Sequence, residues 1–366
     1  MIQSEYGICS ERCWLTMITI KDISIYEVAR PLRITFATAK GRMNVMRSII
    51  VRVTLADGSS GFGECPMSIS LSKETIPVIK GVLNELRQQL QGMSIQGYET
   101  AIRLFRKKYA EYPLTVSGLE VALFRANLAC KGITERAYWG GKTKKVQTDL
   151  TIPFILDKVF LLRWMNYGLR KGFTAYKLKV SGNMERDKEI LSFVHNWLRD
   201  SLEGFTLHLD GNQGYDKKTF RQIVDFIQRH GFNIEFFEQP LAKDDYQGFK
   251  EIKKFTPFPI ILDETVITGS DAQRVAEHGL AHGFNIKVAK SGVMESAAIL
   301  ALARKHGLKL MVGCMTETMI GLSAAINLAA GTDAFDYIDL DSVFFLYHKK
   351  RFGNLSLQGD CFVIQP

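Results

Sequence analysis

From Ile18 to Val28 apolar and polar residues alternate, and Ser48 to Leu55 is a run rich in β-branched residues; both carry the two-residue period of strands. Asp57-Gly58 is a hairpin signal, and Gly61 to Glu64 returns as a third strand. The period then lengthens. Ile76 to Gln91, Tyr98 to Tyr109 and Ser117 to Cys130 space apolar residues three and four apart, which predicts helices. Strands followed by helices describe an α+β unit over residues 17–135. Residues 1–16 show no clear period and read as a loosely attached extension or a misassigned start.

After the polar, Gly-containing connector Trp139 to Lys145 the rhythm changes to short β-rich runs separated by helix-length segments. The runs are Thr148 to Phe154, Ala175 to Val180, Thr206 to Asp210, Ile234 to Glu238, Pro259 to Asp263, Phe284 to Val288, Leu308 to Gly313 and Tyr337 to Leu340. Eight of them predict a parallel (β/α) barrel over 136–345. In such a barrel loops at the carboxyl ends of the strands converge on one mouth, so the residues that end each run matter most.

The 366 residues are 46% hydrophobic and 23% charged, the balance of a globular protein with room for two cores. The net charge of +9 raises the question of a nucleic-acid partner. Lys and Arg are spread along the chain, however, with only short clusters at Lys142, Lys144, Lys145 and at Lys349, Lys350, Arg351, so no nucleic-acid surface is expected. Cys9, Cys13, Cys65, Cys130, Cys314 and Cys361 show no paired CxxC spacing, so neither a zinc site nor a disulfide framework is expected. Without a long apolar stretch or a signal-like N-terminus, the expected setting is the cytoplasm, with no membrane span.

Three consecutive runs end in acids: Asp210 in LHLDGNQ, Glu238 in EFFEQP and Asp263 in ILDET. Strands rising together bring these carboxylates to one rim, where they would repel. A hard divalent cation resolves that repulsion, and all-oxygen ligation is the Mg²⁺ pattern, one ion per subunit. The second run ends in Tyr176-Lys177-Leu178-Lys179, whose alternation turns both lysines inward, and the sixth in Asn285-Ile286-Lys287, across the mouth. A neighbouring cation and partial desolvation lower a lysine toward the range of a general base. Lys177 supports Lys179 in that role, and Asn212 and Glu317 are further supporting candidates, whereas Lys290 is expected to be supporting or on the surface. Asp339-Leu340-Asp341 ends the eighth run with two acids on one face, suited to a substrate ammonium group. Thr151 and Thr316 complete the substrate-facing candidates of the barrel.

From Met17 to Asp341 these motifs resemble the enolase superfamily and, within it, the muconate-lactonizing subgroup. The resemblance implies a modified (β/α)7β barrel with an N-terminal capping domain, toward which residues 346–366 would return. It also makes Asp210, Glu238 and Asp263 the Mg²⁺ ligands, and Lys179 and Lys287 an acid/base pair on opposite faces of the substrate α-carbon. A lysine base working with Mg²⁺ toward an enediolate is the pattern of that superfamily. The Asp-x-Asp of Asp339 and Asp341 and the segment VGCMTET are similar to dipeptide epimerases, which include the L-Ala-D/L-Glu epimerases of murein peptide metabolism. In those enzymes an arginine after a Phe-x-Thr-Ala stretch pairs with the substrate side-chain carboxylate. Here Phe36-Ala37-Thr38-Ala39 is followed by Lys40-Gly41-Arg42, so ungapped alignment puts Gly41 at that place and leaves Lys40 and Arg42 as the replacements. The implied reaction is a 1,1-proton transfer inverting the C-terminal residue of a dipeptide. Its rivals are epimerisation of other L-Ala-L-Xaa dipeptides, an o-succinylbenzoate synthase or muconate cycloisomerase reaction, and a non-catalytic basic binding protein. A homo-oligomer is left open.

Overall fold

The computed structural model describes residues 17–155, 157–347 and 351–365. The extension 1–16, with Cys9 and Cys13, and the basic residues Lys349 and Lys350 lie outside the described residues.

The chain opens with an antiparallel sheet in the order β1-β2-β3, formed by β1 (Ile20–Thr38), β2 (Gly41–Leu55) and β3 (Ser60–Pro66). The first two strands run longer than their alternation suggests, because pairing continues out to Thr38↔Gly41 and makes the Phe36 to Arg42 stretch a tight hairpin. Asp57-Gly58 forms the second turn, with the Asp57 carboxylate accepting from the Ser59 amide at 2.9 Å. Three helices follow, α1 (Ile76–Leu90), α2 (Tyr98–Lys108) and α3 (Pro113–Cys130). α3 starts four residues before its apolar period, since Pro113 opens its first turn and the Glu74 carboxylate takes the Leu114 and Thr115 amides at 2.8 and 2.7 Å. It is buried on nearly every face, wedged between the cap sheet and the barrel. That approach requires glycine: a Cβ on Gly63 would lie 1.9 Å from the Gly118 carbonyl oxygen.

A single turn, α4 (Glu135–Tyr138), and β4 (Lys145–Gln147) lead into the barrel. Its strands are β5 (Leu150–Ile152), β6 (Ala175–Lys179), β7 (Thr206–Asp210), β8 (Phe237–Glu238), β9 (Ile260–Leu262), β10 (Gly283–Ile286), β11 (Lys309–Gly313) and β12 (Tyr337–Asp339). They pair in parallel and in sequence order, and seven helices, α5 (Lys158–Lys171), α6 (Met184–Ser201), α7 (Lys217–His230), α8 (Tyr246–Ile252), α9 (Gly269–Glu277), α10 (Val288–His306) and α11 (Met319–Thr332), alternate with them. The ring closes through the Asp149 amide, which donates to the Ile338 carbonyl at 3.1 Å. This is a (β/α)7β barrel with an α+β cap, the fold class expected from the runs and the resemblance. Phe236, Ile261 and Met311 fill its interior, with His208 stacked on Phe236 at 4.2 Å.

After β12 the chain contacts both domains. Leu346 bridges to Leu32 of β1, and Phe352 meets Phe62 of β3 edge to face. The hairpin β13 (Leu355–Gln358) and β14 (Cys361–Ile364) then adds to β4. No helix among the described residues is long and apolar enough to cross a membrane.

Candidate active site

The carboxyl ends of the barrel strands, the β1–β2 hairpin and the Ser68 to Ser70 stretch line one open cleft. Parallel register sets its floor: Lys179 lies opposite Asp210, and Asp210 opposite Glu238, across adjacent strands. The backbone turns sharply just beyond, with Asn212, Gln213 and Gln239 at φ of +41°, +66° and +35°. Non-glycine residues hold such angles at a cost of order 1–3 kcal/mol each. Here they are secured by the Asn212 amide donating to Asp210 at 2.8 Å and by the Gln239 side chain, which accepts from the Asp263 amide at 2.9 Å.

Each lysine expected at the mouth is buried against an acid. Lys179 Nζ lies 2.5 Å from Asp210, and Lys287 Nζ lies 2.7 Å from Asp263. Lys177 is paired with Asp339 and stands 3.5 Å from Glu238. Lys290, expected as a supporting or surface residue, is 1% exposed and lies 2.5 Å from Asp263. It is therefore a second cation on that acid, and supporting rather than superficial. Asn285, not among the expected site residues, donates its side-chain amide to Glu238 at 2.6 Å. Glu264, next to Asp263, faces the same cleft. Alternation from Lys287 back to Asn285, and the i, i+3 step to Lys290, were the signals for the first two.

Burial dominates the electrostatics. It drives Glu238 upward to about 7, with Asp210 adding to the rise, and Glu264 to about 8, with Asp263 adding. Asp263 is held below the usual carboxylate range despite burial, because Lys287 and Lys290 flank it. Lys287 is held above the usual ammonium range although burial opposes it, because Asp263 and Glu238 face it.

Six buried carboxylates (Asp210, Glu238, Asp263, Glu264, Asp339, Asp341) meet four lysines here, a formal excess of two negative charges. The Glu264 Oε2 and Asn212 Oδ1 atoms are buried without a hydrogen-bond partner among the described residues. An oxygen-only donor set with that charge excess fits a hard divalent cation, Asp210, Glu238 and Asp263 being the residues that could hold it. The acid and thiol ligand atoms gathered within 4.8 Å of one another among the described residues are, by contrast, those of Cys314, Asp339 and Asp341.

Thr151, Thr316, Asp339 and Asp341 line the cleft, and the Thr151 amide donates to Asp341 at 2.5 Å. Lys40 sits at the hairpin tip on the rim and pairs with no carboxylate among the described residues. Arg42 is exposed and outside the lining, because register puts it on β2 opposite Ala37. Phe36 leans under the Lys179 ammonium, 5.7 Å from ring centre to Nζ, so the cap reaches the floor of the cleft. Glu317 stays behind the wall: it accepts from the Met315 amide at 3.2 Å, and burial beside Glu64 raises it to about 8.

Comparison with known proteins matches residues 163–359 to the Enolase C-terminal domain-like family. An aromatic dipeptide epimerase of Herpetosiphon aurantiacus is 30% identical over 93% of this chain and 95% of that protein. This chain belongs to the dipeptide epimerases of the enolase superfamily. It is accordingly an isomerase. Its structure overlays that of the substrate-liganded L-Ala-D/L-Glu epimerase of Bacillus subtilis with a TM-score of 0.87, at 27% identity and over 95% of this chain and 96% of the other. It also overlays a dipeptide epimerase of Methylococcus capsulatus, complexed with Mg and L-Arg-D-Lys, with a TM-score of 0.84, at 27% identity over 95% and 97%. Named side chains in this family thus range from aromatic to acidic to cationic.

Proposed function

We propose that the protein is a Mg²⁺-dependent dipeptide epimerase that inverts the α-carbon of the C-terminal residue by moving protons between that carbon and two lysines. The observation that carries this reading is the placement of Lys179 and Lys287. They stand four strands apart around an eight-stranded barrel, both buried, both lining one cleft. An α-carbon held between two such lysines loses its proton to the neutral amine of one, and the planar carbanion so formed takes a proton from the ammonium of the other on its opposite face, which inverts configuration.

Asp210, Glu238 and Asp263 would hold the Mg²⁺, whose chemistry there is to offset charge developing on the substrate carboxylate. Asp339 and Asp341 receive the substrate α-ammonium by charge-assisted hydrogen bonds. Lys177 orients Asp339 and adds positive potential beside Lys179. Asn212 steadies Asp210 at the turn, and Thr151 steadies Asp341. A cyclisation such as muconate lactonisation has no evident use for the Asp339-Asp341 pair, since its substrate carries no ammonium.

Lys40, the rim cation that pairs with no carboxylate among the described residues, favours an acidic side chain on the epimerised residue, so L-Ala-L-Glu is the first substrate to try. A second reading has its own observation: Phe36, Met43, Ile69, Met315 and Phe345 line the same cleft and favour apolar L-Ala-L-Xaa dipeptides.

Mass spectrometry of a library of L-Ala-L-Xaa dipeptides in D₂O, with Mg²⁺ and with EDTA, tests both. Metal-dependent deuterium uptake at the Xaa α-carbon is expected, strongest for acidic Xaa. No uptake by any dipeptide would sink the epimerase reading.

A further inference from the structure

Asp339 and Asp341 are each anchored through one oxygen. Lys177 engages Oδ2 of Asp339, and the Thr151 amide donates to Oδ2 of Asp341. The other oxygens point elsewhere. Oδ1 of Asp339, in a side chain 2% exposed, meets no hydrogen-bond partner among the described residues, and Oδ1 of Asp341 faces the Cys314 Sγ at 3.9 Å. Ligand atoms of Cys314, Asp339 and Asp341 lie within 4.8 Å of one another and all three residues line the cleft. A tetrahedral Zn²⁺ holds sulfur and oxygen at about 2.0–2.3 Å, so its ligands stand roughly 3.3–3.8 Å apart. Small side-chain rotations close that gap.

We propose that Cys314, Asp339 and Asp341 form a second cation site, selective for Zn²⁺ and similar thiophilic ions, whose occupancy excludes the dipeptide ammonium from the cleft. Sulfur sets it apart from the acid row. Mg²⁺ demands oxygen ligands in octahedral array, whereas thiolate with carboxylate suits zinc. One thiolate and two carboxylates bring three negative charges to the doubly charged ion, beside a Lys177 ammonium that Glu238 also faces at 3.5 Å. On binding, the thiol proton leaves to solvent and a Zn–S bond forms, so affinity rises with pH.

Binding of the ion is independent of the epimerase reading, while its competition with the dipeptide rests on that reading. The test separates them. The full chain, saturated with Mg²⁺, is titrated with Co²⁺ as a spectroscopic stand-in for Zn²⁺, following the near-ultraviolet thiolate-to-Co²⁺ charge-transfer band. Cys314→Ala and Cys314→Ser are titrated alongside, so that the other cysteines cancel in the difference. We expect a one-equivalent difference band that both variants lack. Zn²⁺ inhibition, scored against each protein's own uninhibited rate, should be competitive with dipeptide and weakened at least about tenfold in Cys314→Ala. No difference band, or equal Zn²⁺ affinity in the variants, overturns the site. A band without competition keeps the ion site and overturns the ammonium role of Asp339 and Asp341. Should no dipeptide turn over, the band alone still decides whether the site exists.

Discussion

At the scale of single residues the site is a set of lysine–acid pairs, so truncating a lysine removes a proposed base and frees an acid at once. Lys179→Ala and Lys287→Ala should each abolish epimerisation while leaving Mg²⁺ binding intact. Because the lost ammonium no longer competes for Asp210 or Asp263, Mg²⁺ should raise the Tm of either variant by more than it raises that of the parent. Calorimetry with and without Mg²⁺ measures this, and full turnover by either variant would remove the two-base assignment. Asp339→Asn leaves a neutral group opposite the substrate ammonium. Its KM should rise roughly ten- to hundredfold, the range for losing a hydrogen bond between charged groups. Unchanged steady-state constants would take the ammonium role away from Asp339.

At the scale of elements, carboxylates at helix starts decide local geometry. Glu74 caps α3 through the Leu114 and Thr115 amides and the Thr115 hydroxyl, yet burial outweighs those donors and lifts it to about 7. Its folded value lies above its unfolded one, so the folded state binds more protons between pH 4.5 and 7. Stability from this group is therefore complete below about 4.5 and falls as pH rises through 7. Glu74→Gln removes that dependence. Urea unfolding should show the variant gaining on the parent from pH 5 to 7, by on the order of 1–3 kcal/mol. A constant difference across that range would mean that Glu74 ionises freely in the native state.

At the scale of the whole molecule the cleft exists only where cap and barrel meet, and buried charges join them. Glu64 of β3 accepts from the Thr318 and Gly321 amides at 3.0 Å, at the start of α11. Glu120 of α3 accepts from the Val293 and Met294 amides at 3.0 and 2.7 Å and pairs with Arg106 at 2.5 Å. These amides are presented by a kink at Gly292, φ +69° and ψ −166°, where a Cβ would stand 2.1 Å from Glu120 and Arg106. Gly292→Ala should thus cost more than the 1–3 kcal/mol or so of backbone strain alone. It should also raise the KM for dipeptide, since the β1–β2 hairpin rides on the cap. A urea midpoint equal to that of the parent would show that docking does not depend on the kink.

Much of this was legible along the chain. Eight β-rich runs at regular intervals dictate a parallel barrel, and the carboxyl-end rule then picks out Asp210, Glu238, Asp263, Lys179, Lys287 and Asp339, because a two-residue period fixes which side chains point inward. Sequence could not say which cation meets which acid. Lys290 belongs to a helix whose first turn bends back over Asp263, and Lys40 reaches the cleft while Arg42 does not only because the hairpin pairs Thr38 with Gly41. Nor does anything local bring Cys314 beside Asp341, at the ends of two adjacent strands. Local periodicity acts over a few residues and sets elements and faces. Register, docking and the pairing of buried charges are contacts between distant segments, and tertiary packing alone decides them.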